Sequence, residues 1–328
     1  MLSIDEAAAR LKAGEVVAFP TETVYGLGAD ATSREAVCKI FAAKGRPGDN
    51  PLIVHIGDVG QLALVAAEVP DTARALIDAF WPGPLTVILP KRPELPLEVT
   101  AGLKTVGVRM PSHPVALELL RKTGLPVAAP SANISGRPSP TTAQHVADDL
   151  GDKIAGVVDG GQAQIGLEST VIDCTAQPPV ILRPGAVTKS RIEAVIGTVG
   201  LAAAHTVDAP KSPGMKYKHY APRAPMHIVK GSDEFFRNVV AEARQGGKKV
   251  GILITQERRD SLDADVVLTC GTRADLSSVA RDLYGVLREF DRHDIDVIYS
   301  ESFDESGLGE AIMNRLRKAA NDRVIKEN

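Results

Sequence analysis

Strand-length apolar runs that stop on proline, glycine or small hydroxyl residues alternate with helical patterns along the whole chain, and this alternation restricts the fold to the α/β class. Glu15–Phe19, Leu52–Ile56, Leu85–Leu89, Thr105–Arg109 and Val127–Pro130 read as strands, with three more near 155–158, Thr170–Asp173 and Val180–Leu182. Between them lie helices with recognisable ends. Ser3 and Glu6 form a capping box ahead of an alanine-rich helix that Gly14 closes, Ser33 caps a helix running to about Ala43, and Thr188 caps one running to about Ile196. Further helical patterns occupy 59–67, 71–80, Pro114–Arg121 and the stretch from near Thr142, and Trp81-Pro82-Gly83-Pro84 forces a turn.

A chain of 328 residues exceeds the usual single core, and the pattern predicts a first domain over 1–200. A linker over 201–225 follows, in which Lys211 to Pro222 holds two tyrosines, a histidine and three lysines, more than a plain tether needs, so it is read as a lid over a ligand. The second domain, 226–328, alternates strands (Met226–Val229, Val250–Thr255, Asp265–Thr269, Ile295–Tyr299) with helices (Asp233–Arg244, Asp275–Phe290, Gly309–Ala320), a small Rossmann-like sheet.

Composition removes several function classes. The net charge of −3 and an aromatic content of 4% suit neither a phosphate-backbone binder nor a base-stacking platform, so any contact with RNA is expected to be indirect or weak. Cys38, Cys174 and Cys270 are far apart and odd in number, which argues against a disulfide framework or a zinc site. The N-terminal residues lack the basic and apolar regions of a secretory signal and no apolar run reaches membrane-spanning length, so the chain reads as cytoplasmic.

The residues that carry chemistry follow the strands. Lys44-Gly45-Arg46-Pro47-Gly48-Asp49-Asn50-Pro51 puts two cations one residue apart where glycines allow backbone N–H groups to approach an anion; a solvated surface loop is the competing reading. Arg109 shares one side of its strand with Thr105 and Gly107, and an arginine there requires an anion or a carboxylate. Ser131 to Pro140 is a hydroxyl-rich loop of the kind that can replace a glycine-rich phosphate loop. Gly26-Leu27-Gly28-Ala29-Asp30-Ala31 fits a loose dinucleotide pattern, but its glycines come too late after the strand.

Taken together, Pro20-Thr21-Glu22-Thr23-Val24-Tyr25-Gly26-Leu27-Gly28, Lys44-x-Arg46-Pro47-x-x-x-Pro51-Leu52, Ser131-Ala132-Asn133, Ser212-Pro213-Gly214-Met215 leading to His219-Tyr220-Ala221-Pro222, and Gly307 to Ala320 resemble the threonylcarbamoyl-AMP synthase family in its two-domain form. The resemblance implies a YrdC-like twisted open α/β sheet domain joined by the linker to a smaller Rossmann-like α/β domain. It implies a nucleotidyltransferase that joins L-threonine, bicarbonate and ATP into threonylcarbamoyl-AMP and pyrophosphate. That product is the donor for tRNA threonylcarbamoyladenosine modification next to the anticodon, handed on to tRNA threonylcarbamoyl transferase proteins. It also implies roles. Thr23, His55, Arg109, Ala129 and Ser169 would hold threonine, with Arg109 on its carboxylate. Arg46, Asn50, Thr105, Ser131, Asn133, Ser139, Arg183 and Tyr220 would hold ATP, Lys44 and Arg46 would stabilise the charge of the reaction, and Mg²⁺ would ride on the phosphates rather than in a protein cage. An RNA-binding module without adenylate synthesis is the alternative, and a hydrogenase-maturation carbamoyl transferase would need the cysteine pairs this chain lacks.

Overall fold

The computed structural model describes residues 1–202 and 219–327, so the lid reading of the linker falls largely outside the described residues. Two compact units are present. The first takes Met1–Ser135, Ser139–Gln164 and the described residues from Glu168 to 202; the second takes Gly136–Pro138, Ile165–Leu167 and the described residues from 219 onward. Two short pieces of the N-terminal half therefore belong to the second unit.

In chain order the first unit runs α1 (Ile4–Lys12), β1 (Val17–Phe19), β2 (Gly26–Asp30), α2 (Arg34–Lys44), β3 (Ile53–His55), α3 (Leu62–Val65), α4 (Asp71–Phe80), β4 (Leu85–Pro90) and α5 (Leu97–Thr100). It continues with β5 (Thr105–Arg109), α6 (Pro114–Thr123), β6 (Val127–Ala128), α7 (Ala143–Leu150), β7 (Gly156–Val157), β8 (Thr170–Asp173), β9 (Val180–Arg183), α8 (Lys189–Ile196) and β10 (Gly200–Leu201). The Ser3–Glu6 capping box forms, and Ser33 accepts from the backbone of Ala36 at the start of α2.

Among the described residues ten strands join in one mixed sheet, ordered β10-β9-β8-β4-β5-β3-β6-β2-β1-β7. One face is dry: Leu27, Val54, Val87, Val106, Val108, Ala128, Ile172 and Ile181 lie in the main core with Val37 and Ile40 of α2 and Leu76 of α4. On the other face α1 and α6 cover only part of the sheet, through Ala7, Leu11, Ala116 and Leu119 packed on Val17, Phe19, Val127 and Ala129. Beyond that patch the same face carries a small apolar cluster of Ile53, Ile88 and Val171 and, beside it, the polar side chains of the candidate site.

Several stretches differ from expectation, among them the short α5, β10 and β15, which no sequence pattern announced. Residues 59–67 form a 3₁₀ turn (Val59–Gln61) and the short α3 instead of one helix. Gly26–Asp30 is a strand, β2, antiparallel to β1 and β6. Its glycines serve packing: a Cβ on Gly28 would stand 2.7 Å from Val127 Cγ1 and 2.8 Å from the Phe19 ring.

The second unit adds β11 (Met226–Lys230), α9 (Asp233–Gln245), β12 (Val250–Ile254), β13 (Val266–Thr269), α10 (Leu276–Phe290), β14 (Val297–Glu301), α11 (Leu308–Ala319) and β15 (Val324–Lys326). Its five strands are all parallel, in the order β13-β12-β14-β11-β15, as strands joined by helical crossovers must be. At the carboxyl ends of β12 and β14 the fully buried Glu301 is held by Arg258, Arg273 and the backbone N–H of Thr255 in an internal ion network.

Candidate active site

Register gathers the site. In the parallel pair β3/β5, His55 lies opposite Arg109; in β8/β9, Val171 lies opposite Arg183; in β4/β8, Thr86 lies opposite Val171. Residues directly opposite one another share a face, so His55, Arg109, Thr86 and Arg183 form a row across several strands. Gly107 of β5 leaves room in that row, since a Cβ there would come 3.2 Å from Thr86 Cγ2. Every member of the row is buried.

Arg109 is the centre. Its Nη2 pairs with Glu22 at 2.6 Å, its Nη1 donates to Thr23 Oγ1 at 2.9 Å and its Nε donates to the Gly83 carbonyl at 3.2 Å. The strand arginine thus has the carboxylate that its position demanded, and that carboxylate is Glu22. Burial pushes the Glu22 carboxyl up, but the charge and hydrogen bond of Arg109, with the Ser112 N–H, outweigh it and hold it below the usual carboxylate value. A guanidinium has five N–H groups, so the pair with Glu22 leaves capacity for a ligand oxygen. Thr23 Oγ1 also shares a 2.8 Å hydrogen bond with Thr21 Oγ1, which fixes the turn between β1 and β2.

His55 closes β3. Burial first, and the Arg109 charge second, push its pKa down to about 3, so the imidazole is neutral. Its Nδ1 donates to the Ile53 carbonyl at 3.2 Å, which makes Nε2 the acceptor nitrogen. At the other end of the row, Arg183 donates through Nε to the Ser169 carbonyl at 3.0 Å and through Nη2 to Ser169 Oγ at 3.1 Å, and Ser169 Oγ meets Thr86 Oγ1 at 2.8 Å. Ala129 follows β6, with its N–H bound to the Ile53 carbonyl.

The residues assigned to ATP fall in adjoining segments. Lys44 is the last residue of α2, Gly45 ends that helix with φ +61°, and the buried Lys44 Nζ donates to the carbonyls of Ser131 and Asn133. Its ammonium thus ties α2 to the hydroxyl-rich loop. Ser131 Oγ donates to Asn133 Oδ1, and Asn133 Nδ2 donates to the Ile134 carbonyl. Arg46 Nη2 bonds the carbonyls of Asn50 and Pro51 at 3.2 and 3.3 Å. Asn50 is 1% exposed, yet neither atom of its side-chain amide has a partner among the described residues. Such an amide calls for a ligand. Thr105 opens β5, and the fully buried Ser139 donates to Glu168 Oε1. Tyr220 sits in the second unit, where its ring lies 5.2 Å from that of Tyr284.

Sequence reasoning had no role for Glu22, Glu168 or Thr86. Glu22 carried a signal, an acidic residue inside a run of small and apolar positions; Thr86 looked like any strand threonine. Among the described residues no three His, Cys, Asp or Glu side chains gather as a metal ion would need, and no helix is long and apolar enough to cross a membrane.

Comparison with known proteins identifies the family. The family described as "Telomere recombination" matches residues 9–185, and that described as "Threonylcarbamoyl-AMP synthase, C-terminal domain" matches residues 187–321. The chain is 56% identical to the threonylcarbamoyl-AMP synthase of Bacillus subtilis (strain 168) and 50% identical to that of Pyrococcus abyssi (strain GE5 / Orsay), in each case covering 98% of this chain and 94% of the relative. The crystal structure of P. abyssi Sua5 complexed with L-threonine matches with a TM-score of 0.95 at 49% identity, over 99% of this chain and 96% of that one. Two family matches end to end, high identity over nearly the full length and a shared two-domain α/β fold lead to one conclusion: this chain belongs to the threonylcarbamoyl-AMP synthase family, enzymes of the nucleotidyltransferase type.

Proposed function

We propose that the polar row on the first unit's sheet and the loops beside it hold L-threonine, bicarbonate and ATP for the synthesis of threonylcarbamoyl-AMP. The observation that carries this reading is the row itself: two buried arginines, a neutral histidine and the Thr86 and Ser169 hydroxyls brought together by register on one face of the sheet, beside the patch that α1 and α6 cover.

The chemistry needs the threonine amine, as the free base, to attack bicarbonate carbon and expel one oxygen as water, giving a carbamate, and a carbamate oxygen to attack the α-phosphate as pyrophosphate leaves. Threonine, carried by Thr23, His55, Arg109, Ala129 and Ser169, presents its carboxylate to the N–H capacity that Arg109 keeps beyond Glu22. Because Glu22 offsets most of that charge, Arg109 orients the carboxylate more than it concentrates anions. A neutral His55 can accept a hydrogen bond from the threonine amine through Nε2 and so orient it, but with its pKa down at about 3 it is too weak a base to take the amine's proton. Arg46, Asn50, Thr105, Ser131, Asn133, Ser139, Arg183 and Tyr220 are assigned to ATP; the unpartnered Asn50 amide supports this for the adenine or ribose. Catalysis is then mainly positioning and stabilisation of phosphate charge by Lys44 and Arg46. The described residues offer no carboxylate cluster for Mg²⁺, so an ion on the triphosphate is given no protein ligand. We further assign the product to tRNA modification in the cytoplasm, passed to a separate transferase, with direct tRNA contact indirect or weak at a net charge of −3.

The test is to incubate the protein with ATP, threonine and bicarbonate, detect threonylcarbamoyl-AMP by mass, and repeat without bicarbonate. Arg46→Ala and Lys44→Ala are expected to abolish threonine- and bicarbonate-dependent pyrophosphate release. Near-wild-type turnover in both would remove these residues from the site.

A further inference from the structure

We propose that one face of α10 is a clamp for the nucleotide side of the site, with Arg288 and Asp291 as positioning residues that act through the Ser131–Pro140 loop. The proposal rests on the nucleotide reading of that loop and goes beyond it by giving the second unit a task.

Five contacts inside the second unit carry it. Arg288 Nη2 donates to the Pro138 carbonyl at 2.5 Å, with Arg288 buried. Arg137 Nη2 meets Asp291 Oδ2 at 3.5 Å, and the other oxygen of Asp291 accepts from the Arg223 backbone N–H at 2.8 Å. The Ala221 N–H donates to the Gly136 carbonyl at 3.1 Å. Gly166, at φ +78°, lies so close to α10 that a Cβ on it would stand 2.4 Å from Arg281 Cα and 2.5 Å from the Ala280 carbonyl oxygen. All the pinned carbonyls and the glycine belong to segments 136–138 and 165–167.

Those segments immediately precede Ser139 and Glu168, the two residues whose buried hydrogen bond closes the far end of the loop. One helix therefore fixes the entry to both partners of that bond. Lys44 secures the loop at its other end through Ser131 and Asn133. The residue after Tyr220 joins the same clamp through Gly136, and Tyr220 itself rests on Tyr284 of α10. A loop held at both ends loses less entropy when it closes on a nucleotide, so loosening one end should weaken ATP more than threonine.

The experiment uses the full-length chain with Arg288→Gln, Arg288→Lys and Arg137→Gln. Arg137 is partly exposed, with 29% of its side chain accessible, and loses one arm of the clamp without touching the buried face. Removing a charged hydrogen bond to the loop is expected to raise KM for ATP about tenfold in Arg288→Gln, leave KM for threonine nearly unchanged, and be partly restored in Arg288→Lys, which keeps a donor. Hydrogen exchange at residues 134–140 should quicken in Arg288→Gln and Arg137→Gln whether or not the protein turns over. If wild type makes no adenylate but exchange quickens as stated, the clamp stands and the nucleotide reading falls. Unchanged exchange at 134–140, or equal losses for ATP and threonine in Arg137→Gln, would overturn the clamp. Should Arg288→Gln fail to fold, Arg137→Gln alone decides.

Discussion

Arg109 would be a liability on a buried strand without Glu22, and His55 would be one beside Arg109 if it were charged. The structure resolves both by pairing the arginine and leaving the imidazole neutral. The neutral histidine has a consequence for stability. Unfolded, His55 titrates near its ordinary value of about 6.5; folded, it stays neutral down to about 3. Between those values the unfolded chain binds more protons, so stability is lost as pH falls from 6.5 towards 3. For one such group the loss from pH 7 to pH 5 is about 2 kcal/mol. His55→Asn, which keeps a donor for the Ile53 carbonyl, should lower the drop by about that amount in urea denaturation at the two pH values; parallel drops would show that His55 is not the group responsible. The need for an anion or a carboxylate beside Arg109 was legible in the sequence, whereas its protein partner Glu22 was not. Pairing between residues 22 and 109 depends on a turn path that no local pattern encodes.

Elements with a regular helical period were legible: α1, α2, α4, α6, α8, α9, α10 and α11 lie within a residue or two of their sequence reading. Strand β2 was not, because glycines depress strand propensity and here exist for packing. The same chemical change should therefore have opposite effects in two elements. Gly28→Ala drives a methyl into Val127 and Phe19 and is expected to cost about 1–3 kcal/mol. Gly285→Ala, inside α10 with nothing within 4 Å of the new Cβ, is expected to gain about 0.5–1 kcal/mol from helix propensity. Thermal or urea unfolding of both variants checks this; a stabilised Gly28→Ala would mean that the β1–β2 pair has slack that the packing does not show.

At the scale of the molecule, the two-domain α/β order was readable because helices and strands alternate throughout, but the membership of 136–138 and 165–167 was not. They precede the first domain's last strands in sequence, and only three-dimensional packing assigns them to the second unit. This division predicts how the first unit behaves alone. Its three hydrophobic clusters draw every residue from positions below 200, so a fragment of residues 1–202 should keep a cooperative urea transition. Yet 136–138 and 165–167 would lose α10, Arg223 and Ala221, and the Ser139–Glu168 hydrogen bond would stand between two unanchored loops. The expected result is a folded fragment with near-native circular dichroism, faster exchange confined to about residues 134–140 and 164–169, and a KM for ATP raised about tenfold or more. A fragment without a cooperative transition would place part of the first unit's stability in the second. A fragment with unchanged ATP kinetics would make the second unit dispensable to the loop and return α10 to a purely internal role.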